Sequence, residues 1–437
     1  EKAREAFKED PSDSSPLRYY PERSNIVDSY YLEARMPILG PAQSLSFADS
    51  LDLLAAVRHD RYDIRSPRGQ LPLESREGPF PEPEYFTNEL SSTDYMFGVR
   101  YAPTPDISFR ASVSTGFLPP ALSYLIPDEL EIPFLPFPIP GLNPPDPRRG
   151  NTPLSTPRVD ILGGNPNVRP EQSESWSAGL ILRPRALDGL RVSIDYTRIE
   201  KEDEIFVPIT IEFIIANEAS FPGRVVRGPN LPTDPEGWAG PVLLVDASAL
   251  NLSSTRVDSI DLQIDYEWTT ARAGNFYWMT VLTRTEKFER KLTADTETFD
   301  AVGYSDGPLA WRGQVGLRWE RGPWGAGWQA QYYDSYSVEL ANPSVAFQNP
   351  DRVRNQGRAH VPSQIYHDFF VRYRFEGNTS SWWNNTVISL GIQNVFDKEP
   401  PIIAPLSLTT FGSADYSGYG DPRLRRFELT IRKSFGG

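Results

Sequence analysis

The sequence predicts an all-β fold: a transmembrane, antiparallel, up-and-down β-barrel. Three observations predict it. Apolar and polar residues alternate with period two over about thirteen segments, each long enough to cross a bilayer at a tilt. The connections between those segments alternate short and long. Aromatic residues make up 12% of the 437-residue chain, although 23% is charged and the mean hydropathy is −0.44. No apolar run approaches the roughly 18 residues of a spanning helix. A barrel strand shows lipid only every second residue, so a polar average is compatible with a membrane. An aromatic-rich soluble β protein is the competing reading.

Each strand is justified by its own alternation. Segment 27–36 sets Tyr30, Leu32, Ala34 and Met36 on one side, and 51–63 does the same with Leu51, Leu53, Ala55 and Val57. Segment 92–101 opposes Tyr95, Phe97, Val99 and Tyr101 to Asp94, Met96, Gly98 and Arg100. Segment 106–115 opposes Ile107, Phe109, Ala111 and Val113 to Ser108, Arg110, Ser112 and Ser114. Segment 173–183 carries Trp176, Ala178, Leu180 and Leu182, and 189–199 sets Leu190, Val192, Ile194 and Tyr196 against Arg191, Ser193, Asp195 and Thr197. In 257–268, Ile260, Leu262, Ile264, Tyr266 and Trp268 alternate with Asp261, Gln263, Asp265 and Glu267. Such polar residues do not share a dry core without partners, whereas a wet lumen takes them readily. The remaining segments are 275–287, 309–320, 324–336, 363–375, 385–396 and 424–435. In the last two, Ile388, Leu390 and Ile392, then Phe427, Leu429, Ile431 and Phe435, form the apolar column.

Short links fall at 103–105, 184–189, 271–275, 322–323 and 377–381, and long ones at 64–90, 116–170, 200–253, 288–307, 338–361 and 398–422. Tight periplasmic turns opposite long extracellular loops give this rhythm, whereas links in compact soluble domains are mostly short. If the last strand runs toward the periplasm, 27–36 does too, and residues 1–26 belong to an extracellular loop. An odd count and this starting direction predict that 27–435 is a barrel portion lacking an upstream part; the alternative is one further strand within 1–26 or 200–253.

There is no cysteine, hence no disulfide framework or thiolate metal site. A net charge of −14 argues against a nucleic-acid partner. The start, EKAREAFKED, holds no signal-peptide core. The GxxxxGK[ST] and HExxH patterns are absent, so no enzyme is expected, nor any cofactor. His59, His360 and His367 lie too far apart in sequence to suggest a metal site, and His367 is expected at a rim or on the outer face.

Two groups of residues are candidates for function. Alternation places Arg100, Arg110, Arg191, Arg312, Arg318, Arg372, Arg374, Arg426 and Arg432 on the lumen side. The acids Asp94, Asp195, Asp261, Asp265, Glu267, Glu320, Asp368 and Glu428 share that side. They line a ligand path or a plug-docking surface, or they are cross-strand charge pairs that stiffen a wet wall. The second group is on the loops. Between Pro119 and Pro147 prolines interleave with Phe134, Leu135, Phe137, Ile139 and Leu142, giving either a pre-stiffened lid or a loop packed on its neighbours. Residues 205–215 form a second apolar run in the loop that carries Trp238. Tyr124, Phe134, Phe137, Trp238, Tyr416 and Tyr419 are the candidates for ligand contact. Trp268, Trp311, Trp319, Trp324 and Trp328 are expected in an aromatic girdle near the short turns.

Four stretches resemble the TonB-dependent outer-membrane receptors. The run FRASVSTGF at 109–117, followed by LPPALSY at 118–124, is similar to the family's strand ending in a GFRAPSLSEL-type loop. GNPNVRPEQS at 164–173, continuing to Trp176, is similar to its GNPDLKPETS…W entry to the next strand. QNVFDKEPP at 393–401 resembles NLFDKEPP, and GDPRLRRF at 420–427 resembles the start of the final strand. The resemblance implies a plugged barrel of about 22 strands, of which this chain supplies the C-terminal part, without plug, energy-coupling box or about nine strands. It implies a bacterial outer-membrane location and active import of a scarce small nutrient. The expected partners are outer-membrane lipid, the plug and remaining strands, and a TonB-type energy-coupling protein acting through the plug. A surface-binding or structural barrel subunit completed by another chain, and a passive porin, are the alternatives.

Overall fold

The computed structural model describes residues 22–40, 45, 47–67, 84–133, 143–154, 157–206, 210–291, 297–342, 352–375, 382–404 and 415–434. Its main feature is one antiparallel sheet in which each strand pairs with the next in sequence. The order is β1 (Ser24–Leu39), β2 (Ser50–Pro67), β3 (Tyr85–Thr104), β4 (Ile107–Leu118), β5 (Glu171–Leu182), β6 (Leu190–Phe206) and β7 (Leu250–Thr270). It continues through β8 (Gly274–Lys291), β9 (Trp311–Arg321), β10 (Trp324–Tyr333), β11 (Gln364–Phe375), β12 (Thr386–Gln393) and β13 (Arg426–Lys433). A two-residue strand, Phe299–Asp300, adds to β8 off this path. Every segment expected from the alternation is therefore a strand, and the short and long links fall where they were expected. β1 begins at Ser24, three residues before the expected start, and residues 1–21 lie outside the described residues.

The apolar column of this sheet is not a core. Phe97, Phe109, Val113, Ile194, Phe369, Val371, Leu390, Leu429 and Ile431 are all exposed. A soluble sandwich buries such a face against a second layer; here the sheet is a single layer, and its apolar side is left for lipid to cover. β6, β7 and β8, at 17, 21 and 18 residues, exceed the roughly 9–11 that span a bilayer. Their excess lies at the long-loop end. Register shifts at Lys201/Glu204 and Asp258/Ser259 mark where the regular ladder gives way. A belt of ion pairs sits there, with Asp258 held by both Arg198 and Arg256, and Lys201 by Glu171.

The buried hydrophobic residues belong mainly to the long loops. The links after β4 and β6 build a shared four-stranded sheet: Val225–Arg227, Val242–Asp246, Arg158–Gly163 and Pro127–Ile132, in that order, with the middle pair parallel. The short helix Ile211–Ala216 is capped by the Thr210 hydroxyl, which accepts from the Phe213 N–H. It buries Phe213, Ile214 and Ile215 against Leu154, Val242 and Val245. The link after β4 thus packs on its neighbour rather than standing alone, while its 134–142 segment lies outside the described residues. A second cluster joins the links after β8 and β10 through Leu309, Tyr336, Val338 and Val361, with Ile403 and Tyr419 of the link after β12 packed against it.

Ile214 and Val245 have no solvent exposure, so truncating either to Ala is expected to cost this loop unit about 2–5 kcal/mol. Limited proteolysis of full-length protein should then cut within 119–170 and 207–249. The sheet should keep its folded, heat-modifiable mobility on gels. Unchanged loop protection in both variants contradicts the shared core.

Candidate functional site

Backbone pairing carries one side-chain face across the whole sheet. Asp52 pairs with Arg100, Arg100 with Arg110, Arg110 with Gly179, Gly179 with Asp195, and Asp195 with Asp261. The row continues through Thr283, Arg312 and Tyr333 to Gln364. Because side chains alternate strictly, Arg191, Asp265, Glu267, Arg318, Glu320, Asp368, Arg372, Arg374, Arg426, Glu428 and Arg432 follow onto the same face, as does Asp94. The structure thus brings all the strand candidates to one polar face. The face is not purely polar, since Met96, Met279, Val281 and Phe370 also lie on it.

The first half of this face is internally paired. Arg35 and Arg100 flank Asp52 at 3.4 and 3.8 Å. Arg110 makes two hydrogen bonds to Asp195, of 2.7 and 2.6 Å. Asp265 accepts from Arg191, Gln263 and Tyr277, and Asp261 accepts from the Thr283 hydroxyl. A cavity of about 710 Å³ opens here, lined by Arg35, Asp52, Arg100, Arg110, Asp195 and Asp261 among others.

The Arg110–Asp195 pair spans an intervening strand, and glycine makes that possible. Gly179 stands between the two partners, and a Cβ there would lie 1.9 Å from Asp195 Oδ1. The device recurs: Glu320 and Arg372 meet at 2.5 Å across Gly325, where a Cβ would lie 2.6 Å from Arg372 Nε. The sequence offered one clue, a glycine in the polar column of a strand, where glycine otherwise weakens packing. In the second half, Arg312, Arg318 and Arg432 form no ion pair among the described residues.

The loop candidates separate into two places. Tyr124 sits in the turn Leu122–Leu125, its carbonyl accepting from Asn165. Trp238 packs under the Arg149 guanidinium, 5.1 Å from carbon to ring centre, and Arg149 also grips Asp234 at 2.5 Å. Tyr416 and Tyr419 lie together on the link after β12. The Tyr416 hydroxyl donates to Glu399, and Tyr419 packs on Tyr333 and Tyr336, each at 5.6 Å. Burial raises the pKa of the Tyr419 phenol, and the Arg312 charge acts in the opposite sense. This tyrosine cluster beside Arg312 was not singled out from sequence, because its members come from three separate segments. Phe134 and Phe137 lie outside the described residues.

The girdle needs a correction. Trp268, Trp319 and Trp324 stand near the short turns, but Trp311 opens β9 at the long-loop end under Arg284. Trp328 lies in mid-strand, stacked on His367, which is on the apolar face. Alternation reports the face of a residue, not its height. The short-turn ring is completed instead by Tyr373, Phe375, Trp382 and Trp383, in mutual edge or tilted contact.

A family model described as TonB dependent receptor-like, beta-barrel, matches residues 5–395. The chain belongs to that family. It is therefore an integral outer-membrane β-barrel protein, and no described helix is long and apolar enough to cross a membrane. Among solved structures, a variant of the ferric enterobactin receptor PfeA from Pseudomonas aeruginosa is similar at TM-score 0.55 and 13% identity, covering 98% of this chain and 55% of that one. A second PfeA variant, in complex with enterobactin, is similar at TM-score 0.53 and 12% identity, over 94% and 54%. The copper transporter OprC is similar at 0.50 and 13%, over 93% and 48%. The chain spans about half the length of these TonB-dependent receptors, and at such identities the likeness shows the fold. No curated protein sequence matches it.

Two outcomes follow. Replacing Gly179 with Ala should destabilise the folded barrel by about 1–3 kcal/mol through forced rearrangement. In an Asp195→Ala background the same change should cost less than half as much, because the colliding oxygen is gone. Urea-dependent unfolding in lipid vesicles measures both. Secondly, hydrogen bonds from Arg149 and the Leu231 N–H hold Asp234 below the usual carboxylate range. A depressed carboxylate stabilises fully above its unfolded pKa, near 3.9, and the contribution is lost as pH falls through the lower folded value. Trp238 fluorescence should therefore hold from pH 7 to about 4 and change only below. A transition between pH 5 and 7 contradicts the pairing.

Proposed function

We propose that this chain is the C-terminal part of an outer-membrane uptake receptor. The long loops capture a small nutrient, which passes along a lumen lined by the polar face once a plug domain rearranges. A TonB-type protein of the inner membrane supplies the energy through that plug. Further strands complete the wall between β1 and β13. The observation that carries this reading is the single polar face running from Arg35 to Arg432, with two packed loop clusters on the links at its long-loop end. The relatives' names support it, since they bind or move ferric enterobactin and copper.

The charges favour an anionic ligand such as a metal chelate. The arginines of β3, β4 and β6 already have acids, whereas Arg312, beside Tyr333 and Tyr419 at the long-loop end, has none among the described residues. Arg312 is exposed, and an arginine without a carboxylate is available to a ligand's negative oxygen.

Energised uptake of radiolabelled ferric chelates by cells carrying the full-length receptor tests the proposal. Uptake should need the proton-motive force, and Arg312→Ala should weaken binding of an anionic chelate about tenfold, roughly 1.4 kcal/mol. Uptake indifferent to the proton-motive force, with steady ion conductance in planar bilayers, would instead identify a passive pore.

A further inference from the structure

The apolar face carries a groove that alternation alone does not explain. It holds about 460 Å³ and is lined by Leu317, Trp319, Ala326, Trp328, Phe369 and Val371, among others. Two rows of paired residues form it: Trp319, Ala326 and Val371 across β9 to β11, and Leu317, Trp328 and Phe369 beside them. Ala326 is the small residue in the first row and makes the floor.

Two large indoles adjoin that floor, and both are tied away from it. The Trp319 indole N–H donates to the Ala273 carbonyl, in the turn between β7 and β8, at 2.6 Å. This draws the ring toward the short-turn rim. The Trp328 indole N–H donates to His367 Nδ1 at 3.1 Å, and the two rings stack at 16°. An indole nitrogen only donates, so His367 Nδ1 accepts and carries no proton. His367 is braced from its other side by Phe396, edge-on at 5.1 Å. His367 pairs with Ala330, two residues from Trp328 toward the long loops, so this second indole is drawn the opposite way. The gap between the indoles is therefore held open by hydrogen bonds.

The rim end of the groove is charged. Arg321 lies on the same face as Trp319, two residues nearer the short turn, opposite Trp324. It is exposed and has no ion pair among the described residues. Two residues of strand rise about 7 Å, so the guanidinium reaches the level at which lipid headgroups begin. Trp324 and Tyr373, in edge contact at 4.7 Å, mark the same level with interfacial aromatics.

We infer that this groove is a binding site for one glycerophospholipid of the periplasmic leaflet, with an acyl chain lying over Ala326 between the two tied indoles and the phosphate on Arg321. The inference rests on the apolar face meeting lipid, and is independent of ligand transport. Charge complementarity decides the occupant. A second copy of this chain would bring an apolar surface and leave Arg321 without an anion, whereas a phospholipid supplies a flexible apolar chain with an anion at one end.

Native mass spectrometry of the full-length receptor, delipidated and titrated with palmitoyl-oleoyl phosphatidylglycerol, tests it. One lipid should bind per chain with an affinity lowered at least fivefold by Ala326→Phe, which fills the floor, and by Arg321→Gln, which removes the anion partner. Ala178→Phe, on the apolar face of β5, is the control and should leave binding unchanged. Diacylglycerol with the same chains should bind more weakly and ignore Arg321→Gln. Heat-modifiable mobility checks that each variant is folded, and Arg321→Gln, at an exposed rim, remains informative if Ala326→Phe misfolds. Wild-type affinity in both groove variants overturns the inference. So does a dimer that Ala326→Phe disrupts without altering lipid binding. Loss of nutrient uptake, with lipid binding intact, would bear on the transport proposal alone.

Discussion

A hydrogen-bonded pairing carried from each strand to the next is the constraint on which the rest of this molecule depends. In hydrocarbon no water rescues a free N–H or C=O, so each strand must be paired along its membrane length. Pairing fixes alternation, and alternation fixes which residues can meet. From β1 to β13 the register carries one face without inversion, which is why Asp52 and Gln364, nine strands apart, belong to the same polar surface. A one-residue slip anywhere would turn every later charge into the lipid. The tightest short turns protect against that slip: the link 322–323 leaves no slack, and the register beside it is unshifted.

Much of this was legible in the sequence because the membrane imposes a binary pattern. All thirteen strands were found, and every charge expected on the polar column shares one face. Boundaries at the long-loop end were set too short. β7 was expected at 257–268 and runs Leu250–Thr270, because beyond the bilayer neither face needs to be apolar and the pattern fades. Height was illegible for a related reason: Trp311 and Trp319 share a face but stand at opposite ends of β9, and period two cannot distinguish them. The loop unit was invisible. Its ties join residues far apart in the chain, such as Asp146 with Arg227 at 2.8 Å and Arg149 with Asp234, and no local pattern announces such a contact.

Glycine shows how register becomes chemistry. Neighbouring side chains on a sheet meet directly, but partners two strands apart meet only if the intervening residue is absent in effect. Gly179 and Gly325 do this for Arg110–Asp195 and Glu320–Arg372. Each pair is half exposed and contributes modestly on its own. Its larger consequence is to consume the charge: a paired arginine is poorly available to a ligand, an unpaired one is available. The contrast between the neutralised wall of β3–β6 and Arg312 and Arg318 of β9, without an ion pair among the described residues, therefore follows from which acids the register places within reach.

The same constraint bears on the two edges of the sheet. β1 and β13 each pair on one side only among the described residues, and both present apolar columns, with Leu32 68% and Leu429 65% exposed. A cross-strand side-chain contact contributes about 0.2–1 kcal/mol, while an unpaired backbone group in hydrocarbon costs several. No arrangement of side chains along these edges offsets a free row of backbone groups in a bilayer. On the proposed reading further strands meet both edges in the membrane, and the polar column sets their phase: each presents its own polar residues opposite Arg35 at one seam and Arg432 at the other. The register on either side would then specify the proposed lumen wall between them.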